Sequence, residues 1–204
     1  MTDATDRAED QAKAQYESIC EMVAALDADY ERLNELRDEI KALDDERDAI
    51  ANDKHEWIMA NPGRFIDAND ARNNWALAFP DENDRLAEIE EERAALIKEL
   101  DEIETEIGPC ESREEAEQRI QEDALEVQVR SGWHEPGDSE AEPEELYILL
   151  CTGGPAVRIR GELNSGEPDR AWIEYQDWLE PWKRFFGTEQ AVLLAYCREF
   201  FFGR

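Results

Sequence analysis

Apolar residues recur every three and four positions through two long acidic stretches, and this spacing is the tightest constraint on the chain. With Ile19 as an a position, the a/d series of the first stretch is Ile19, Met22, Leu26, Asp29, Leu33, Leu36, Ile40, Leu43, Arg47, Ile50, Lys54 and Trp57. The second stretch gives Leu86, Ile89, Arg93, Leu96, Leu100, Ile103 and Ile107. A 3.5-residue apolar repeat with charge nearly everywhere else is the signature of a coiled-coil seam. The sequence therefore predicts an antiparallel helical hairpin, one helix over about 8–60 and the other over about 81–107. Asn61-Pro62-Gly63 stops the first helix and Gly108-Pro109 stops the second.

The first helix would run about 75 Å, the second roughly 39 Å. About half of the first helix is left without a partner, and a second copy of the chain is one candidate to supply it. A bend or register shift is expected near Asp27–Asp29, where a carboxylate falls on the seam. Residues 61–80 form a connector too apolar for a solvated loop. Asp67 or Asn69 is placed to cap a short helix there, and Trp57 and Trp75 are expected to be buried together over the hairpin's closed end.

From Ser112 the pattern changes. Ser112 and Glu115 make a capping box for a helix to about Asp123. Alternating or continuous apolar runs at 125–130, 146–152, 156–163 and 171–178 read as antiparallel strands in sequence order. Thr188 is expected to cap a closing helix. The fold class is thus α+β: residues 1–108 an acidic coiled-coil hairpin, residues 109–204 a small four-stranded sheet with helices on one face.

Charge narrows the function. The chain holds 53 acidic and 22 basic residues, a net of −31 at pH 7. Nucleic acid and anionic membranes would be repelled, and a basic protein partner attracted. Nothing at the N-terminus reads as a signal peptide, and no apolar run reaches membrane-spanning length. The four cysteines are far apart with no Cys-x-x-Cys pair, so reduced thiols in a cytoplasm are expected, with neither a zinc site nor a disulfide framework.

Signals for chemistry are weak. His55 and His134 sit in different units without ligand partners at metal spacing. Gly153-Gly154-Pro155 follows a strand but leads into another strand with no lysine, which is a hairpin turn and not a phosphate loop. Arg158 and Arg160 share one face of a strand and are expected to neutralise carboxylates. No catalytic pair stands out among so many acids, so no enzyme, cofactor or metal is expected.

The acidic flanks of the hairpin carry more information. The heptad g positions Glu39, Glu46 and Asp53, and Glu92, Glu99 and Glu106, are all acidic. The e positions offer Arg37 but also Asp44, Glu90 and Glu104, so the flanks look largely uncompensated. Residues 81–107 hold 12 acidic and 3 basic side chains, and residues 35–60 hold 9 and 4. Over their overlap that is one net negative charge per roughly 3 Å, against one per about 1.7 Å of duplex DNA. The candidate partner-binding residues are Glu39, Asp45, Glu46, Asp53, Glu91, Glu92, Glu99, Glu102 and Glu106.

Three stretches carry a resemblance: REEAEQRIQED at 113–123 leading into VQVRSGWH at 127–134, LCTGGPAVRIRGEL at 150–163, and EYQDW at 174–178. Together they resemble small acidic proteins encoded by bacteriophages, over roughly residues 112–203. The resemblance implies a phage context in a host cytoplasm and no reaction. Small, extremely acidic phage proteins are similar in type to anti-CRISPR and anti-restriction proteins that imitate DNA. The expected function is inhibition of a host defence system. The partner would be a basic nucleic-acid-binding protein or CRISPR effector complex, met without direct nucleic-acid binding. A non-catalytic structural or adaptor protein that homodimerises through its coil is the alternative.

Overall fold

A computed structural model describes residues 4–133, 135, 142–178, 180–200 and 202. The chain divides into two units, Asp29–Thr105 and a second assembled from Met1–Ala28 and Glu106–Arg204. Residues 4–28 thus leave the hairpin, with which the sequence groups them, and join the unit that contains the sheet.

The expected break falls at Asp29. Helix α1 spans Ala4–Asp27 and helix α2 spans Tyr30–Met59. Asp29 caps α2, its carboxylate accepting the Arg32 amide at 2.9 Å. A carboxylate on an apolar seam would lose its hydration without compensation; at an N-cap it satisfies an orphan N–H instead. The long first helix is therefore two helices with different partners.

The unit Asp29–Thr105 contains α2, α3 (Ala68–Ala78) and most of α4 (Pro80–Ile107). Helices α2 and α4 run antiparallel, linked by Arg32–Glu99 at 2.8 Å near one end and Arg85–Glu46 at 2.8 Å further along. At 30 and 28 residues they match in length, so α2 has a partner throughout. Every a/d position from Leu33 to Trp57 and from Leu86 to Ile107 is buried or half-buried. Pro80 opens α4, where a missing N–H costs nothing, and Asp81 and Glu82 occupy the first turn. At the closed end Trp57 meets Phe65, Trp75 and Phe79, with ring centroids 5.3, 5.9 and 5.7 Å apart. Asp67 caps α3, accepting the amides of Asn69 and Asp70.

The other unit is built on an antiparallel meander in the order β1 (Glu126–Ser131), β2 (Pro143–Cys151), β3 (Ala156–Asn164), β4 (Glu167–Gln176) and β5 (Lys183–Arg184). The sequence predicted four strands. The fifth is two residues long, held by its register against Glu174 and Tyr175. Gly153 and Gly154, at φ 121° and 140°, turn β2 into β3, as expected of a hairpin turn.

One face of the sheet buries Leu146, Ile148, Val157, Ile159 and Ile173. Helices α1, α5 (Arg113–Asp123) and α6 (Gln190–Arg198) complete this core. Helix α1 contributes Ala12, Ile19, Met22, Val23 and Leu26, all buried, and Arg113 donates to the Leu26 carbonyl at 2.7 Å. Ser112 caps α5 as predicted. Thr188 does not cap α6; Glu189 takes that position without a side-chain bond. Tyr196 is fully buried and donates its hydroxyl to Asp123 at 2.7 Å.

All four cysteines are free, Cys110 and Cys197 buried and Cys20 and Cys151 half-buried. Burial pushes the Cys197 thiol up to about 12. A maleimide at pH 8 is therefore expected to leave Cys197 unmodified in the folded protein and to label it after denaturation, as read by peptide mass spectrometry.

Candidate functional site

The candidate surface is one flank of the α2–α4 coil. Position g of the heptad holds Arg32, Glu39, Glu46 and Asp53 on α2, and Arg85, Glu92, Glu99 and Glu106 on α4. In an antiparallel pair the g positions of both helices lie along the same side of the seam.

Two arginines organise that side. Arg32 reaches across to Glu99 with two N–H groups, at 2.8 and 3.2 Å, and along its own helix to Glu35 at 3.3 Å and Glu39 at 3.1 Å. Arg85 repeats the arrangement, crossing to Glu46 at 2.8 and 2.9 Å and holding Glu88 at 3.3 Å and Glu92 at 3.1 Å. These bonds lower the pKa of Glu46 and Glu99, while the glutamates raise that of each arginine further. The opposite side carries Arg37–Glu104 at 3.0 Å, and Asp44 lies 2.9 Å from both Arg47 and Arg93. The charged seam residues Arg47 and Arg93 thus share one carboxylate.

The likeness of the two clamps has a source in the chain. Residues 32–50 and 85–103 form an internal repeat 53 positions apart, identical at Arg32/Arg85, Leu33/Leu86, Glu35/Glu88, Glu39/Glu92, Ala42/Ala95, Leu43/Leu96, Glu46/Glu99, Asp48/Asp101 and Ile50/Ile103. Paired antiparallel, the two copies are related by an approximate twofold axis across the coil. The pattern of acid on one helix is therefore presented again, reversed, on the other.

All nine predicted acids are exposed. Glu39, Glu46, Glu92 and Glu99 come together in the clamps, which corrects the expectation of largely uncompensated flanks. Glu102 pairs with Lys98 at 3.7 Å. Asp45, Asp53, Glu91 and Glu106 make no ion pair among the described residues. Asp45 and Glu91 hold position f, furthest from the seam. The clamps remove little of the excess: α2 carries 10 acidic and 5 basic residues, and α4 carries 12 and 3.

A second surface escaped prediction as a cluster. On the face of the sheet away from the helices, Arg158 stacks on Trp182, its guanidinium carbon 3.8 Å from the ring centroid, with Tyr147 5.5 Å away. Arg158 also donates to Glu174 at 2.6 and 2.8 Å, and Glu174 accepts the Trp172 indole N–H at 2.9 Å. Glu145 accepts from both Arg130 and Arg160, which lower its pKa. Arg158 and Arg160 thus neutralise carboxylates, as expected from their shared face. Arg158→Ala should remove the stacked cation and one partner of a largely buried carboxylate. A loss of about 2–3 kcal/mol in urea unfolding is expected.

Chemistry is sparsely provided for. Among the described residues no group of three or more His, Cys, Asp or Glu side chains is placed to hold a metal ion, and no described helix is long and apolar enough to cross a membrane. His55 is exposed on α2, and His134 lies outside the described residues, with most of the loop around it. Comparison with protein-family models, curated proteins and solved structures returned no match.

Proposed function

We propose that this chain is a non-catalytic inhibitor that lays its acidic α2–α4 coil on the nucleic-acid-binding surface of a basic host protein and excludes the nucleic acid. A defence complex, such as a CRISPR effector or a restriction enzyme, is the partner to which the resemblance to phage proteins points. The observation that carries this reading is the linear charge of the coil. Helices α2 and α4 together have a net charge of −14 over about 42 Å, within a factor of about two of duplex DNA. The twin clamps support it further, because carboxylates fixed before the encounter lose less conformational freedom on binding.

A structural protein that oligomerises through its coil is less well supported. That reading relied on the first half of helix one, and α1 is occupied in the core of the sheet unit. The test is competition. Duplex DNA added to the chain bound on a nucleic-acid-binding complex retained from a host lysate should displace it. The affinity should also fall by 10-fold or more between about 50 and 300 mM salt. A complex indifferent to both DNA and salt would reject the mimicry.

A further inference from the structure

Among the described residues strand β1 is an unpaired edge of the sheet, and its sequence is complementary to itself. The order β1-β2-β3-β4-β5 leaves two edges. The β5 edge is blunted, being two cationic residues long. The β1 edge runs six residues with neither lysine nor proline. It also exposes apolar side chains: Leu125, Val127 and Val129 are 59%, 39% and 46% accessible. Val127 and Val129 pair with the buried Ile148 and Leu146 of β2, so they lie on the helix side of the sheet. Their neighbours Glu126, Gln128 and Arg130 point to the other side, with Tyr147 and Glu145.

Antiparallel pairing of β1 with β1 of a second chain, centred on Gln128, sets Glu126 opposite Arg130 and Arg130 opposite Glu126. Val127 then meets Val129, and the two Gln128 amides face each other across the axis. Residues directly opposite share a face, so both charge pairs and the apolar contacts form at once. A register moved by two residues would put Arg130 opposite Gln128 and lose the pairs. Neither charge is fully committed within the chain. Among the described residues Glu126 accepts from Gln128 alone, at 2.7 Å, and Arg130, mostly exposed, gives one of its five N–H groups to Glu145.

We propose that β1 is a homodimerisation edge, joining two chains into one continuous ten-stranded sheet through Glu126–Arg130 pairs about a twofold axis at Gln128. The inference is independent of the acidic coil and of the function proposed for it. Two six-residue strands make a small interface and the chains repel one another, so the dimer is weak and belongs in the micromolar range.

Sedimentation equilibrium of the full chain, at about 0.3 M salt to screen the repulsion, should show reversible monomer–dimer exchange below about 200 μM. Glu126→Arg and Arg130→Glu should each weaken the dimer about tenfold or more, since two pairs per dimer become repulsive. The double swap should restore it to within about threefold. Gln128→Cys tests the same axis without altering charge: a short bismaleimide should link two chains through position 128 at a level the parent protein does not reach. A chain that stays monomeric throughout overturns the proposal. So does a dimer that ignores the single swaps, or one in which position 128 fails to cross-link.

Discussion

Deletion of residues 1–28 is expected to unfold the sheet unit while leaving the α2–α4 coil helical. Ile19, Met22, Val23 and Leu26 are 0–8% exposed in the core of that unit, and burying each contributes about 1.5–3 kcal/mol. Losing all four removes about 6–12 kcal/mol, comparable to the whole stability of a domain. The Arg113 bond to the Leu26 carbonyl goes with them. Tryptophan emission reports on both units: Trp57 and Trp75 belong to the coil and Trp133, Trp172, Trp178 and Trp182 to the sheet unit. Trp133 and Trp178 are already exposed, so half-buried Trp172 and Trp182 carry the change. The truncated chain should show a red-shifted sheet-unit signal and retain strong helical circular dichroism. A native-like sheet in its absence would mean that α1 is a dispensable appendage.

Charge reversal at Asp45, Asp53, Glu91 and Glu102 should weaken the partner complex by about 100-fold or more at physiological salt, if each exposed contact contributes up to about 1 kcal/mol. None of the four belongs to an arginine clamp, and replacing them by lysine shifts the charge of the coil from −14 to −6. Helicity and thermal unfolding should stay close to those of the parent, which separates loss of binding from loss of structure. The complementary variant, Arg32→Gln with Arg85→Gln, makes the coil more negative while releasing Glu39, Glu46, Glu92 and Glu99. If orientation of the carboxylates matters, that variant should bind more weakly despite its greater charge. If charge alone matters, it should bind more tightly. Retained affinity in the fourfold reversal would move the contact off the coil.

Much of this was legible in the sequence because local rules settled it. The a/d series predicts which coil residues are buried or half-buried, and Asp67 and Ser112 cap the helices that their positions suggested. Strands β1 to β4 follow from apolar runs bounded by turn residues. The partner of α1 was not legible, because Ile19, Met22 and Leu26 continue in the same heptad frame as Leu33 and Leu36. Periodicity records that a face is apolar and says nothing about what covers it. Only Asp29, a carboxylate on the seam, marks the change of partner.

The clamps were missed for a related reason. A first helix continuous over 8–60 sets its overlap with α4 at residues 35–60, which leaves Arg32 outside it. The internal repeat was also readable, but a heptad pattern makes any two coil segments look alike, and identities at g are what distinguish a duplication from a shared periodicity. Strand β5 left no local signal, since two residues carry no pattern and their strand character comes from β4 alone.

The closely matched lengths of α2 and α4 have a topological consequence. An antiparallel pair returns the chain close to where it departed, so Asp29 and Thr105 lie at the same end of the coil. To the sheet unit, the excursion between them is therefore equivalent to a short loop, with a small closure cost. The length of the coil becomes a free variable: heptads can be added or removed in matched pairs, one on each helix, without disturbing the core that α1 completes.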